Sequence, residues 1–518
     1  MPDEPIADVP TIPVLKVTQP KDLPDSGAQL SADVVIIGSG AAGAVTAYEM
    51  SRSGAKVVVL EAGPYIPSSE FREHAPTALE TLYQDHGNQV NTTGDLAVLQ
   101  GKCIGGSTVV NAAVCFRAPD QVLRSWTEEH GLDNLSSEVL APYFERVERN
   151  LSIHPNGPHE VNRNGRLLIE GAQKIGIPAG PTPRNVKSCA LSGHCISGCK
   201  TDRKQSMLVT YLPWASQLGA TILSGTRAES FEIDKRRVTA VRAVATDETG
   251  MAKPVRVEAG LVVVAAGAVQ TPLLFQRNKV GNSSGQVGLN FACHPSLAVF
   301  GEHEDDVNAW VGATISAHAG DIENPLKGGY LLEAGMVGPV VTSTWVDGGI
   351  GRDFVEFMQQ SKKYQAAVTL IHDHNVGRVY LDGDRKQIEY DIDDRDFESV
   401  REALRGAARM YFAAGARRVY LPTTRRTTIE RASDVDSVIN GLRNGKHMYR
   451  LTSYHPQGTM RMGADPARSV VGSEGRCHDL DNVYVPDASI FPSSLLVNPQ
   501  LTVYGMASYI SDRILARA

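Results

Sequence analysis

Three runs of β-branched and small apolar residues predict the clearest strands in the chain. They are Asp33–Ile37 (DVVII), Lys56–Leu60 (KVVVL) and Leu261–Val269 (LVVVAAGAV). Continuous apolar runs of this kind are typical of strands buried on both faces of a parallel sheet. The stretch Ala44–Ser53 has helical character, and Gly54 after it favours a helix C-terminus. Together these elements predict one complete βαβ unit near the N-terminus.

The remaining pattern predicts a mixture of helices and antiparallel strands. Residues 120–180 are expected to be helical, 222–268 to form strands and 375–392 to form a hairpin. Residues 394–414 carry apolar positions at helical spacing, which predicts an amphipathic helix. A further helix is expected to close the chain. The proline-containing residues 1–32 predict an extended arm. The fold class is therefore α/β, or mixed α+β.

Composition and charge exclude several classes of protein. The 518 residues are 42% hydrophobic and 21% charged, which is ordinary globular usage. Net charge is 51 − 58 = −7, which disfavours a nucleic-acid partner. No apolar run approaches the about 18 residues of a membrane span. The N-terminus lacks the basic and apolar segments of a signal peptide, so a cytoplasmic location is expected.

A glycine-rich turn joins the first predicted strand to its helix. Gly38-x-Gly40-x-x-Gly43 follows Ile37, and Glu61 ends the next strand. In this context the three glycines allow a tight turn, close approach of a pyrophosphate, and close packing of helix on sheet. The free N–H groups and positive dipole of the helix N-terminus favour phosphate. Glu61 can accept hydrogen bonds from ribose hydroxyls. The sequence therefore predicts a dinucleotide site.

Four further segments, in a fixed order, complete a family pattern. They are Gly101–Asn111 (GKCIGGSTVVN), Val263–Ala268 (VVAAGA), His455–Gly463 (HPQGTMRMG) and Asp487–Thr502 (DASIFPSSLLVNPQLT). With the first motif, these segments resemble the glucose–methanol–choline (GMC) family of flavin oxidoreductases over about residues 33–518.

The resemblance implies a Rossmann-like FAD-binding domain and an interleaved substrate-binding domain of antiparallel sheet plus helices. The first would gather residues 33–120, 220–300 and 450–518. The second would gather residues 121–219 and 301–449. The active site would lie between the two domains.

The resemblance also implies which residues hold FAD. Val110 stands where some relatives carry the histidine that bonds flavin covalently, so non-covalent FAD is expected. The implied FAD-binding residues are Gly38, Gly40, Ala42, Gly43, Glu61, Gly105, Gly106, Asn111, Ala228, Ala266, Asp487, Ala488, Pro499 and Gln500.

His455 and Asn498 are the implied catalytic pair. Alcohol oxidation removes a hydride from carbon, which a flavin accepts, and a proton from oxygen. A histidine suits the part of base because its pKa is near working pH. Asn498 would position the substrate oxygen.

Apolar segments such as Tyr330–Leu332 and Met336–Val341 hint at a bulky or aromatic alcohol. The electron acceptor would be oxygen, a quinone, a dye or a protein.

Three cysteines lie close together at Cys189, Cys195 and Cys199. Their spacing resembles the segment that holds an iron–sulfur cluster in some bacterial FAD-dependent sugar dehydrogenases, so they are possible cluster ligands. Free buried thiols or one local disulfide are the alternatives.

Two other functions stay open at this point. One is a non-redox lyase of the same family. The other is an NAD- or ligand-binding protein that uses only the first βαβ unit, against which the segments around His455 and Asn498 argue.

Overall fold

The computed structural model describes residues 14–517, apart from 323–328, 337, 339–341, 344–350, 375 and 425–426. The first part of the predicted arm and most of the apolar segment 336–341 thus lie outside the described residues. None of the helices in the described part is long and apolar enough to cross a membrane.

The strands, in chain order, are β1 Ala28–Ile37, β2 Val57–Leu60, β3 Leu96–Val98, β4 Ile153–Pro155, β5 Ala179–Pro181, β6 Pro183–Asn185, β7 Thr221–Leu223, β8 Thr226–Asp234, β9 Arg237–Thr246, β10 Ala252–Val264, β11 Leu289–Phe291, β12 Ala298–Glu302, β13 Ala317–Ala319, β14 Tyr330–Glu333, β15 Tyr364–Ile371, β16 Gly377–Asp382, β17 Arg385–Glu389, β18 Arg418–Leu421, β19 Thr427–Ile429, β20 Leu451–Ser453 and β21 Val483–Tyr484.

The described α-helices are α1 Ala41–Arg52, α2 Ala75–Leu82, α3 Ser107–Val110, α4 Asp120–His130, α5 Ser137–Asn150, α6 Arg163–Lys174, α7 Tyr211–Gln217, α8 Gly267–Asn278, α9 Arg352–Gln359, α10 Asp394–Ala413, α11 Val435–Asn440 and α12 Gln500–Leu515. The expected helices within 120–180, the amphipathic helix and the closing helix are all confirmed, as is the hairpin β16–β17.

The first sheet has the order β7-β2-β1-β10-β9-β8, with β21 added beside β10. Its strands β7, β2, β1 and β10 are parallel, and β10, β9 and β8 are antiparallel. The apolar runs at Val34–Ile37 and Val57–Leu60 lie in its centre and are buried, as their composition predicts.

Three boundaries differ from the sequence prediction. Strand β1 begins at Ala28, so the end of the expected arm pairs with Val255–Ala259. Apolar and polar residues alternate over Ala28–Asp33, which is typical of a half-buried strand, and the prediction of an arm overlooked this signal. Helix α1 begins at Ala41 rather than Ala44. Strand β10 ends at Val264, and the small residues from Gly267 onward begin α8. The apolar run extends past the end of the strand because α8 is buried as well.

The second sheet has the order β19-β18-β12-β15-β14-β13-β5, and the pairings within it are antiparallel. Helix α10 packs on it with its apolar face, and Leu404 and Tyr411 are fully buried there. The strands of the first sheet come from residues 28–264 and 483–484, and those of the second from residues 179–429. The division into domains at the expected boundaries stays a prediction.

Candidate active site

The turn after β1 has the geometry that its glycines allow. Gly38 has φ +100°, and a Cβ there would lie 2.4 Å from the carbonyl oxygen of Ala265. A Cβ at Gly43 would lie 1.9 Å from the carbonyl oxygen of Gly38. Gly40 caps the N-terminus of α1 and is open, with its nearest neighbour 3.9 Å from the Cβ position. Gly43 therefore serves helix packing, and Gly38 and Gly40 shape the free backbone of the turn.

A second glycine segment meets the first. Gly106 has φ +55°, and a Cβ there would lie 2.8 Å from the Cα of Gly40. Ser39 joins three segments at this point, because its Oγ donates to Glu61 Oε2 (2.7 Å) and accepts from the backbone N–H of Gly105 (3.0 Å). Glu61 also accepts from the N–H groups of Ser39 (2.9 Å) and Gly63 (2.8 Å).

Asp487 joins the start of α8 to the C-terminal segment in this region. Its Oδ2 accepts from the Gly267 N–H (2.8 Å) and the Thr271 hydroxyl (2.7 Å), and its Oδ1 accepts from the Ser489 N–H (2.8 Å). Burial raises the pKa of this carboxyl, and these hydrogen bonds oppose the rise. The carboxylate thus fixes the start of α8 against the C-terminal segment.

One cavity of about 640 Å³ joins these elements to the predicted catalytic pair. Of the predicted FAD-binding residues, Gly43 and Gly105 do not line it. Gly43 packs against the carbonyl of Gly38, and the N–H of Gly105 donates to Ser39 Oγ. His455 and Asn498 line the same cavity. The predicted residues that do line it are Gly38, Gly40, Ala42, Glu61, Gly106, Asn111, Ala228, Ala266, Asp487, Ala488, Pro499 and Gln500.

Asn111 and Gln500, predicted from motifs far apart in the chain, are in direct contact. Asn111 Nδ2 donates to Gln500 Oε1 (2.7 Å). Beside them lies the buried Lys204, which the sequence did not single out as a functional residue. Its ammonium donates to the carbonyl oxygens of Val109 (2.7 Å) and Asn111 (2.8 Å), and burial lowers its pKa to about 8. Lys204 therefore anchors the segment that carries Asn111.

His455 lies between Asn498 and a second histidine, His294. Its Nδ1 is 3.2 Å from His294 Nδ1, and its Nε2 is 3.4 Å from Asn498 Nδ2. Burial lowers the pKa of His455 to about 3 and that of His294 well below its ordinary value. Both rings are therefore neutral near pH 7.

The hydrogen bonds assign the proton positions on the two rings. The backbone N–H of Leu496 donates to His294 Nε2 (2.8 Å), so neutral His294 carries its proton on Nδ1. That N–H points to His455 Nδ1, which must accept. This bond places the proton of neutral His455 on Nε2. The 3.4 Å contact with Asn498 Nδ2, which can only donate, instead requires Nε2 to accept, so the two contacts assign opposite tautomers to His455.

Glu333, at the end of β14, is a cavity residue that the sequence analysis missed. It lines the cavity and is 2% exposed. Its Oε1 has no hydrogen-bond partner among the residues that the structure describes. Burial raises its pKa to about 7, and Asn498 opposes the rise. The charge inside the apolar sequence Leu331-Leu332-Glu333-Ala334 was the signal that could have revealed it.

The three clustered cysteines do not form a ligand set. All are free, and no group of three or more His, Cys, Asp or Glu side chains within the described ranges is placed to hold a metal ion. Cys195 Sγ instead accepts from Arg184 Nη2 at 3.1 Å. Burial disfavours its thiolate, but Arg184 and Lys204 outweigh burial and lower the pKa of Cys195. The structure thus favours free thiols over an iron–sulfur cluster.

Comparison with known proteins gives a consistent result. Two family models, both described as GMC oxidoreductase, match residues 32–296 and 373–507. The chain is 34% identical over 495 residues to an uncharacterized GMC-type oxidoreductase of Mycobacterium tuberculosis, covering 95% of this chain and 77% of that protein. It is 27% identical over 520 residues to long-chain-alcohol oxidase FAO3 of Arabidopsis thaliana, covering 95% and 69%.

Solved structures share the fold. Pyridoxine 4-oxidase from Mesorbium loti superposes with a TM-score of 0.67 at 20% identity, covering 93% of this chain and 99% of that one. A formate oxidase variant of Aspergillus oryzae superposes with a TM-score of 0.71 at 15% identity, covering 94% and 98%.

Proposed function

This chain belongs to the GMC oxidoreductase family, and on that premise we propose that it oxidises an alcohol to an aldehyde or ketone with non-covalently bound FAD. One observation supports the proposal above the others. A single cavity connects the glycine-rich turn before α1 with the adjacent side chains of His455 and Asn498.

The residues present fit FAD. The backbone of Gly40 leaves no room for a Cβ at Gly106, so the two glycine segments lie close together. The N-terminus of α1, which begins after Gly40, offers free N–H groups to a pyrophosphate. Glu61 and Asp487 line the same cavity, where Glu61 would hold the ribose. When bound, FAD supplies the acceptor for the hydride of the alcohol carbon. The absence of a histidine at Val110 supports non-covalent binding.

His455 and Asn498 would contact the hydroxyl of the substrate. Asn498 is 7% exposed, and its Oδ1 has no hydrogen-bond partner in the described part of the chain. The motif pattern predicts that His455 is the base that accepts the hydroxyl proton. Its hydrogen bond with His294 instead favours an N–H on Nε2, which would donate a hydrogen bond to the alcohol oxygen. Either part requires contact between His455 Nε2 and the alcohol oxygen.

The substrate would be a bulky, apolar alcohol. Ile315, Met336 and Val368 line the cavity together with His455. These side chains favour an aliphatic or aromatic group over a sugar, whose hydroxyls would need hydrogen-bond partners. The long-chain-alcohol oxidase relatives support this class, and they support oxygen as the electron acceptor over a quinone, dye or protein.

The test is anaerobic mixing of the yellow holoenzyme with a panel of long-chain and aromatic alcohols. Flavin absorbance should bleach and then return on admission of oxygen. A non-redox lyase would leave the flavin oxidised with every alcohol. A colourless protein would contradict FAD binding itself.

His455→Ala should retain FAD and slow flavin reduction about 10²–10⁴-fold, because contact with the reacting hydroxyl is lost. Stopped-flow absorbance measures this rate. His159→Ala is the matched control, since His159 is exposed and does not line the cavity. An unchanged rate in His455→Ala would refute the assigned contact.

A further inference from the structure

Two buried cations lie against the cysteine segment, residues 189–199. Arg184 is 1% exposed and Lys204 is 2% exposed. In the described part of the chain, neither of them forms an ion pair with a carboxylate. A buried positive charge is costly unless a negative group balances it. The arrangement therefore requires an anion other than a carboxylate beside these two side chains.

Cys195 is the residue that both cations contact. Arg184 Nη2 donates to Cys195 Sγ (3.1 Å), and its Nε donates to the carbonyl oxygen of Ala112 (3.1 Å). Arg184 Nη1 has no hydrogen-bond partner among the described residues. Lys204 Nζ donates to the carbonyl oxygen of Cys195 (2.7 Å), and of the charges around Lys204 that of the Cys195 thiolate favours the ammonium most. A thiolate at Cys195 would thus balance both cations.

Cys195 differs from Cys189, which lies in the same segment and is also partly exposed. Burial disfavours the thiolate of Cys195, but Arg184 and Lys204 outweigh burial and lower its pKa. At Cys189 burial prevails and raises the pKa. The thiolate, and not the thiol, is the nucleophile in reactions with oxidants, so Cys195 is the more reactive of the two.

The segment that carries Cys195 borders the cavity. Ile196, the next residue, lines the cavity. Thr314 lines it as well, and its hydroxyl donates to the carbonyl oxygen of Gly193 in the cysteine segment (3.1 Å). An oxidase that passes two electrons to oxygen releases hydrogen peroxide. In this protein the peroxide would form beside the segment that carries the thiolate.

Resting on the proposed oxidase activity for the source of the oxidant, we propose that Cys195 is a thiolate held by Arg184 and Lys204 and is the site at which hydrogen peroxide modifies this protein. The sulfur attacks one peroxide oxygen, so that the S–O bond forms and the O–O bond breaks. Two electrons pass from sulfur to oxygen. The product is a sulfenic acid, and the second peroxide oxygen leaves as hydroxide.

The first test adds reagent hydrogen peroxide to the holoenzyme at about pH 7, without alcohol. A 1,3-dione traps sulfenic acid, and fragmentation of the tryptic peptide 188–200 assigns the label to one cysteine. Cys195 should be labelled at least about 10-fold more than Cys189, because a thiol of ordinary or raised pKa is mostly protonated there. A disulfide from Cys195 to another thiol counts as the same modification, since sulfenic acids condense with thiols. Cys189→Ser is the matched control and should keep the reaction at Cys195.

The second test examines the charge balance by thermal unfolding of holoenzyme variants. Cys195→Ser removes the anion and should unfold at a lower temperature than the wild type, because Arg184 and Lys204 stay buried without a counter-charge. Cys195→Asp restores a negative charge that peroxide does not oxidise, and it should recover part of the loss. A merely structural cysteine would favour the serine variant over the aspartate variant.

Several outcomes overturn the proposal. Equal labelling of Cys195 and Cys189, reaction at neither, or an aspartate variant less stable than the serine variant excludes the thiolate site. Turnover with alcohol and oxygen should modify Cys195 as the reagent does, and catalase should prevent it. Turnover that leaves Cys195 unmodified also overturns the proposal. If no alcohol reduces the flavin while reagent peroxide still modifies Cys195, the proposed function fails and the thiolate site stands.

Discussion

At the scale of single residues, Ser39 shows how the predicted motifs come together. Its hydroxyl links Glu61, at the end of one strand, to Gly105, in a loop 66 residues after Ser39 itself. Both partners are buried, so each of these hydrogen bonds replaces one that the group would otherwise make with water. The glycine turn, the acidic residue and the second glycine segment are thus one hydrogen-bonded unit, although the sequence presents them separately.

Glu333→Gln should stabilise the protein at alkaline pH. The folded protein holds this carboxyl protonated from its ordinary pKa of 4.5 up to about 7, so it binds more protons than the unfolded chain. Stability therefore falls as pH rises through that range. The difference between 4.5 and about 7 corresponds to about 3 kcal/mol.

Guanidinium unfolding of the variant and the wild type at about pH 8 and about pH 4.5 measures this effect. The variant should unfold at higher denaturant concentration at the higher pH only. Glu398→Gln, at an exposed position, is the matched control and should change neither midpoint. A variant of unaltered stability at about pH 8 would show that Glu333 is not held as a buried carboxyl.

At the scale of elements, α10 illustrates a helix that the sequence predicts well. Its apolar positions Phe397, Val400, Leu404, Ala407, Ala408 and Tyr411 are all buried against the second sheet. Asp393 caps its N-terminus by accepting from the Asp396 N–H at 2.8 Å. The helix lies behind the strands that present Glu333 and Val368 to the cavity, so it supports the wall without lining it.

Leu404→Ala should lower stability by about 2–5 kcal/mol, because it leaves a cavity at a fully buried position. Thermal unfolding of the holoenzyme measures the loss. Arg395→Ala, at an exposed position on the same helix, should unfold close to the wild type. The rate of flavin reduction below the unfolding transition should change little in either variant, and a large loss in Leu404→Ala would mean that α10 controls the site directly.

At the scale of the whole molecule, the two sheets bring together the parts of one cavity. The carboxyl ends of β1 and β10 supply Gly38 and Ala266, and the second sheet supplies Glu333. The C-terminal segment adds His455, and Asn498 follows shortly before α12. Ligand sites at the carboxyl ends of parallel strands are general in open α/β sheets.

FAD should leave the protein on acid precipitation, because Val110 offers no nucleophile for a covalent bond to the flavin. The absorbance of the supernatant measures the release. Unfolding in guanidinium followed by filtration serves as the control for flavin trapped in the precipitate. Flavin retained by the protein after both treatments would contradict non-covalent binding.

The sequence by itself determined the first βαβ unit and the family. The predicted FAD-binding and catalytic residues, except Gly43 and Gly105, line the cavity, and their roles there stay predictions. These depend on short-range patterns: buried runs such as Val34–Ile37, and glycines required by a turn. It also predicted α10 and the hairpin β16–β17. It missed the start of β1, where apolar and polar residues alternate over Ala28–Asp33 as in a half-buried strand, because these residues were assigned to the extended arm.

Only the tertiary structure decided the chemistry of the polar groups at the site. The proton position on His455 depends on His294 and, through it, on the backbone of Leu496. The pKa of Glu333 depends on its burial at the end of β14, in the cavity wall. Contacts between distant segments, and the water they exclude, set proton positions and pKa values, and no local pattern in the chain records them.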